Sequence, residues 1–293
     1  MLKLIDSHCH LNFEGFREDR DLILRQSLEA GIGTINIGSQ FETSKEAVEL
    51  AKKYESGVWA VVGLHPIHVG KRVKDEMETK FQKEVDEKGP EEVLKKIKEL
   101  LNRKSNRIVG IGETGLDYYL PCTRAERVVQ GHLPKNEEEE IKKKQREFFK
   151  RQILLAREQN LPLVIHCREA YKDLVKILKQ EKVNRGVVHC FTGAWKEAQE
   201  ILSLGLFIGF TGVITFKNAP DLQEVVKKTP LEKILVETDA PYLAPEPHRG
   251  ERNLPLYVQF VAKKIAELKD LPEEKVFETT LKNTINLFNL MVK

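Results

Sequence analysis

Of the eight histidines in this sequence, an unusual share stand where a short apolar run ends. His8 and His10 close the first run as Asp6-Ser7-His8-Cys9-His10, His65 closes the third, His166 the fifth and His189 the sixth. Carboxylates take the same places elsewhere, with Glu113 ending the fourth run and Asp239 following the eighth. On an extended chain residues two apart point to one side, so His8 and His10 can reach a single ion. Neutral imidazole and carboxylate are the donor set of Zn²⁺, Mn²⁺ and similar divalent cations. Each residue also has a plain reading. A lone strand-end histidine is more often a hydrogen-bonded structural residue, and Glu113 or Asp239 alone could cap the helix that follows. The metal reading rests on all of them coinciding.

The elements that must carry these residues are short and β-branched. They are Lys3–His8, Thr34–Gly38, Val58–His65, Arg107–Glu113, Leu161–His166, Gly186–Cys190, Leu206–Phe210 and Ile234–Thr238, each followed by a helix-like stretch. Fully apolar runs of this length suit strands buried on both faces, as in a parallel sheet. Thr43-Ser44-Lys45-Glu46 reads as a capping box that opens one helix. Glu138, Glu139 and Glu140 precede Lys142, Lys143 and Lys144 by the i,i+4 spacing that supports another. Eight strands alternating with helices predict an α/β fold of the (β/α)8 TIM-barrel type, with a doubly wound open sheet as the competitor. In a barrel all strand C-termini surround one mouth, so residues as distant as His8 and Asp239 converge there.

Two patterns point elsewhere and are set aside. Gly110-Ile111-Gly112-Glu113-Thr114-Gly115 fits a dinucleotide fingerprint, but the following Leu116–Pro121 is a poor helix start and an acid inside the loop would repel phosphates. Small residues there are expected to let a crowded barrel interior close. Cys9, Cys167 and Cys190 each adjoin a strand-end histidine. Alternation sends them outward beneath the helices as small buried hydrophobes, which excludes a zinc–thiolate site.

Composition bounds the rest. Lys plus Arg number 48 and Asp plus Glu 45, a net charge of +3, which argues neither for nor against nucleic acid. With 41% hydrophobic and 32% charged residues the chain can bury a core and stay in solution. No apolar stretch is long enough to span a bilayer, no leader is visible, and four cysteines without a disulfide spacing fit a reducing compartment. A cytoplasmic protein with no membrane partner is expected, built as one domain over residues 1–293. Two stretches break the rhythm, at about 71–103 and 120–135. They read as insertions on the barrel, the first being the solvated face of one or two helices.

Six motifs in order now carry a resemblance that runs essentially end to end. They are Leu4-Ile5-Asp6-Ser7-His8-Cys9-His10-Leu11, Gly63-Leu64-His65-Pro66, Gly112-Glu113-Thr114-Gly115-Leu116-Asp117-Tyr118-Tyr119, Leu161-Pro162-Leu163-Val164-Ile165-His166-Cys167-Arg168, Val188-His189-Cys190-Phe191 and Leu235-Val236-Glu237-Thr238-Asp239-Ala240-Pro241-Tyr242. The chain resembles the TatD family of metal-dependent hydrolases, within the amidohydrolase-like barrels. The resemblance implies two divalent ions (Zn, Mn or Mg), with His8, His10, Glu113 and Asp239 on one. Glu113, His166 and His189 would take the second, Glu113 bridging where many such barrels use a carbamylated lysine. It implies a 3′-to-5′ deoxyribonuclease acting on single-stranded DNA, with RNA as a further substrate and no obligate protein partner.

On that reading Glu113 and Asp239 are catalytic, Asp239 orienting the hydrolytic water and taking its proton. His65 and Arg168 are candidates to hold the phosphate, and Tyr118, Tyr119 and Phe191 to stack an unpaired base. Nothing firm is assigned to His68, Arg72, Arg124, His132, Lys217, His248 or Arg249. Taken alone, the residues support hydrolysis by a divalent-metal centre. A deacylase, esterase or amidohydrolase acting on a carbonyl substrate such as aminoacyl-tRNA would use the same ligands. A non-catalytic binding module would have no need of Asp239. The two insertions look longer than is usual for the family and bear on substrate choice.

Overall fold

Eight strands pair in parallel and in chain order: β1 (Leu4–Cys9), β2 (Ile32–Ile37), β3 (Val58–Val62), β4 (Ile108–Asp117), β5 (Leu163–Arg168), β6 (Gly186–Val188), β7 (Phe207–Phe210) and β8 (Ile234–Val236). This computed structural model describes residues 2–69, 82–103, 105–119 and 135–292, with side chains from 89 onward in the second segment. The first and last strands approach each other and nearly close the sheet into the expected TIM barrel. His10 N–H donates to Ala240 O at 2.8 Å and Asp239 N–H to His8 O at 2.8 Å. The Asp6 carboxylate reinforces that seam by accepting the N–H and the hydroxyl of Thr238, at 2.9 and 2.5 Å.

The runs are apolar because both faces are buried. Ile5, Ile35, Ile37, Trp59, Val61, Val109, Val164, Val187 and Leu235 fill the barrel interior, and Leu287, Phe288 and Leu290 plug its base. Leu4, Val62, Ile165 and Val188 face the other way and pack beneath the helices. Each such buried aliphatic side chain contributes roughly 1.5–3 kcal/mol.

The helices are α1 (Arg20–Glu29), α2 (Phe41–Lys52), α3 (Gln82–Asn102), α4 (Lys135–Glu158), α5 (Tyr171–Gln180), α6 (Trp195–Ser203), α7 (Pro220–Lys228), α8 (Val258–Lys269) and α9 (Glu273–Phe288). Two expectations need correction. α2 starts at Phe41, so Thr43 lies inside its first turn instead of opening a capping box with Glu46. The Thr43 hydroxyl accepts the N–H groups of Ser39 and Gln40, at 2.9 and 3.0 Å.

The stretch at 71–103 is only partly an insertion. Beyond Gly89 (φ 70°) and Pro90, α3 buries Val93, Leu94, Ile97, Leu100 and Leu101, an apolar stripe at helical spacing that makes it a layer of the barrel itself. Dense Lys and Glu on its other face hid that stripe in the composition. Residues 71–81, with Arg72, and residues 120–134, which include Cys122, Arg124 and His132, lie outside the described residues. The i,i+4 expectation on α4 holds at Glu138–Lys142, 3.8 Å apart.

Two irregularities in register decide which side chains reach the mouth. Between Asp6 and Cys9 three steps of β1 oppose two of β2, and between Ile111 and Thr114 three steps of β4 oppose two of β5. An extra residue bends a strand and flips the phase of its side chains. Past the first bulge His8 faces inward and Cys9 outward; past the second Glu113 faces inward while Thr114 meets Gln152 of α4 at 2.6 Å.

Candidate metal centre

Six of the predicted residues meet at the mouth of the barrel around one carboxylate. Glu113 Oε1 lies 2.7 Å from His189 Nε2, 2.9 Å from His166 Nδ1 and 3.2 Å from His65 Nε2. Its other oxygen, Oε2, faces His8 Nε2 at 3.4 Å and His10 Nε2 at 3.9 Å. Asp239 Oδ1 completes that side at 3.3 Å from His10 Nε2 and 3.6 Å from His8 Nε2. Asp239 takes a left-handed backbone (φ 59°) just past β8, which turns its carboxylate back over the mouth. Three overlapping groups have ligand atoms close enough for a shared ion: His8–His10–Asp239, His8–Glu113–His189 and His65–Glu113–His166.

The facing nitrogens indicate what such a cluster fits. His8 Nε2 and His10 Nε2 are 3.3 Å apart, as are His166 Nδ1 and His189 Nε2 at 3.2 Å, and both pairs converge on carboxylate oxygens. Two neutral imidazoles gain little from such proximity, whereas a divalent cation between them satisfies every lone pair.

Two of the far nitrogens agree. His10 Nδ1 donates to Ile37 O at 3.0 Å and His166 Nε2 to Asp117 Oδ2 at 3.2 Å, which frees the opposite nitrogen as a ligand. His65 differs: its Nδ1 accepts Ile67 N–H at 3.1 Å, so the proton resides on Nε2 and points at Glu113 as a donor. That arrangement suits a group that holds an anion better than one that holds a cation.

Titration in the metal-free chain follows from the same contacts. Burial would raise the Glu113 carboxyl, but His189, His65 and His166 hold it well below the usual range. Asp239 is held low in the same way by His10, His8 and His189. Burial opposes charge on His166, yet Asp117 and Glu113 lift it to about 10. His10 and His189 are also raised against burial, chiefly by Asp239 and Glu113 respectively, whereas burial and His189 push His8 down to about 3. Ionised carboxylates thus draw protons onto imidazoles where a cation would otherwise sit.

The cluster floors a cavity of about 470 Å³, within the roughly 300–1,000 Å³ of ligand clefts. Arg168 lines its rim with the guanidinium 3.8 Å from the Tyr119 ring centroid. Tyr119 remains exposed there, but the other two aromatic candidates are engaged. Tyr118 donates to Asp173 at 2.7 Å with Lys142 over its ring, and Phe191 is buried against Tyr171 and Phe210.

Cys9 joins the helix-side core as expected, and Cys167 packs there too while also bordering the cavity, but Cys190 does not point away. β6 ends at Val188, so alternation has lapsed, and a φ of 43° brings Cys190 to the cavity wall. Two carboxylates were overlooked as site residues although both stand in the quoted motifs. Asp117 follows because β4 runs four residues beyond Glu113, and fully buried Glu237 lies behind His189. Burial pushes the Glu237 carboxyl up to about 7. Their spacing from the site residues was the available clue.

Comparison with known proteins gives the family and the fold. The family model described as TatD related DNase matches residues 5–289. The metal-dependent hydrolase YabD of Bacillus subtilis is 37% identical over 290 residues, covering 98% of this chain and 99% of its own. YcfH of Escherichia coli is 32% identical over 293 residues, covering 98% and 96%. The crystal structure of YjjV, a TatD homologue from Escherichia coli, superposes with a TM-score of 0.81 at 28% identity over 99% of both chains. Among the described residues no helix is long and apolar enough to cross a membrane.

Proposed function

Because the chain belongs to the TatD-related DNase family of metal-dependent hydrolases, we propose that it hydrolyses phosphodiester bonds with two divalent ions, as a 3′-to-5′ exonuclease on single-stranded DNA. The observation that carries the two-ion reading is the division of Glu113, one oxygen facing His8 and His10 and the other His166 and His189. His8, His10 and Asp239 would hold one ion, His166 and His189 the other, and Glu113 both. When bound, such ions supply an acidified water and withdraw charge from a phosphoryl oxygen.

The chain's own groups do the rest. Asp239 is ionised, partly exposed and at the cavity wall, so it orients the water, accepts its proton and returns one to the leaving oxygen. His65, through Nε2–H, and Arg168 bind the non-bridging oxygens, and the stack on Tyr119 keeps the guanidinium in place before substrate arrives. The exposed Tyr119 ring offers a face to a terminal base. A cavity of about 470 Å³ suits one nucleotide at a time.

The test is product analysis with metal restored to chelator-stripped protein, using free and 3′-blocked single-stranded oligonucleotides. The expected result is a metal-dependent ladder of 5′-mononucleotides from the free end alone, with two ions bound per chain. Intact oligonucleotides at that stoichiometry would overturn the nuclease reading and favour a carbonyl substrate such as an aminoacyl ester.

A further inference from the structure

Glu237 is a fully buried carboxylate that the hydrolytic reading leaves without a task. Its Oε1 accepts Cys190 N–H at 2.5 Å and its Oε2 the Ser7 hydroxyl at 3.4 Å. A neutral amide would serve both contacts, so these bonds do not explain a charge that is costly to bury. Behind it, β7 makes room: a Cβ on Gly209 would lie 2.5 Å from Glu237 Oε2. The barrel wall is therefore cut back at a strand position that this carboxylate overlies.

In front of Glu237 stands His189. Its Nε2 faces Glu113, while its Nδ1 is buried, has no hydrogen-bond partner among the described residues and lies 3.8 Å from Glu237 Oε1. The corresponding nitrogens of His10 and His166 are each held, one by a carbonyl and one by Asp117. Imidazole ligands in metal sites regularly give the second ring N–H to a carboxylate or carbonyl, which fixes the tautomer and strengthens the ligand.

We propose that Glu237 is a positioning residue that acts through His189, accepting Nδ1–H so that Nε2 presents its lone pair to a divalent cation, in a niche that Gly209 keeps open. The proposal rests on His189 being a metal ligand. It adds Glu237 and Gly209 to the apparatus that sets how tightly the ion beside His166 is held.

The experiment compares Zn²⁺ affinity, by competition with a chromophoric chelator, in the full-length wild type, Glu237→Gln, Gly209→Ala and His189→Ala. Long-range ¹H–¹⁵N spectra of the zinc-loaded protein report the His189 ring protons. Glu237→Gln keeps the shape and the acceptor for Cys190 N–H, so the metal-free denaturation midpoint should stay close to wild type. Its Zn²⁺ affinity should drop about 10–100-fold, with the Nδ1 proton of His189 moving upfield. Gly209→Ala, which displaces the carboxylate without removing its charge, should weaken Zn²⁺ in the same direction.

Wild-type affinity in both variants with an unmoved ring proton would overturn the proposal. So would a loss of affinity that only tracks loss of the metal-free fold. If His189→Ala itself leaves Zn²⁺ affinity and stoichiometry unchanged, the failure lies with the metal assignment of His189. If His189→Ala weakens binding and Glu237→Gln does not, only the role of Glu237 falls.

Discussion

At the scale of single residues, the centre depends on which nitrogen of each imidazole is free. His10 and His166 have the far nitrogen engaged and the near one directed at carboxylates, while His65 has the reverse arrangement. Asp239 belongs to the first ligand group and also faces the cavity, so one substitution separates binding from turnover. Asp239→Asn should keep the fold and most of the metal, since His8, His10 and Glu113 remain, while kcat falls by about 10²–10⁴-fold. Steady-state kinetics at saturating metal check this, and unchanged turnover would remove Asp239 from the proton path.

A second residue-scale prediction concerns pH. The metal-free His166 has its pKa raised to about 10 because Asp117 and Glu113 outweigh burial. A raised histidine stabilises the fold fully below the ordinary value near 6.5, and that contribution fades as pH climbs towards 10. The urea midpoint of the metal-free protein should therefore decline over this window, and decline less in Asp117→Asn. Metal binding at neutral pH should release protons, seen by calorimetry in buffers of different ionisation enthalpy. A heat of binding that is the same in every buffer would contradict this account of the cluster.

At the scale of elements, closure of the barrel is the step that brings His8 beside Asp239. Backbone bonds across the β1–β8 seam are few, and Asp6 adds two from Thr238 while also accepting His8 N–H within β1 at 3.3 Å. Asp6→Ala leaves those donors buried and unpaired, at a cost of roughly 1–3 kcal/mol per group. Its denaturation midpoint should drop clearly and its metal affinity with it, whereas Asp6→Asn, which keeps an acceptor, should lose less. Equal midpoints in wild type and Asp6→Ala would mean that the backbone bonds alone hold the seam. Elsewhere the strands do their positioning through bulges, one before Cys9 and one around Glu113, each re-aiming a site residue.

At the scale of the whole molecule, a net charge of +3 sets an expectation for substrate binding. A protein that grips 6–10 phosphates loses about 10³–10⁵ in affinity between 50 and 200 mM salt. A mouth that draws in one strand end with His65 and Arg168 makes few such contacts. KM for a single-stranded oligonucleotide should rise by less than about tenfold over that range. A steeper dependence in a salt titration would point to an extended phosphate track outside the mouth.

How much of this was legible in the sequence follows from which interactions are local. Burial on both faces of a parallel strand forces an apolar run, so eight runs announced eight strands. A histidine or carboxylate ending such a run is costly unless it has a partner, so His8, His10, Glu113, His166, His189 and Asp239 stood out. The stripe on α3 was equally local but was masked by the charge on its other face. Register, closure and ring orientation are not local. The bulge that turns Glu113 inward exists only against β5, and Cys190 reaches the cavity because β6 stops early. Asp117 and Glu237 gain their roles from imidazoles on other strands. Periodicity therefore determined the alternation of strands and helices, and the residues ending the runs gave the candidate donors; only the pairing of distant strands decided for a barrel over an open sheet and set which atom of each donor faces the centre.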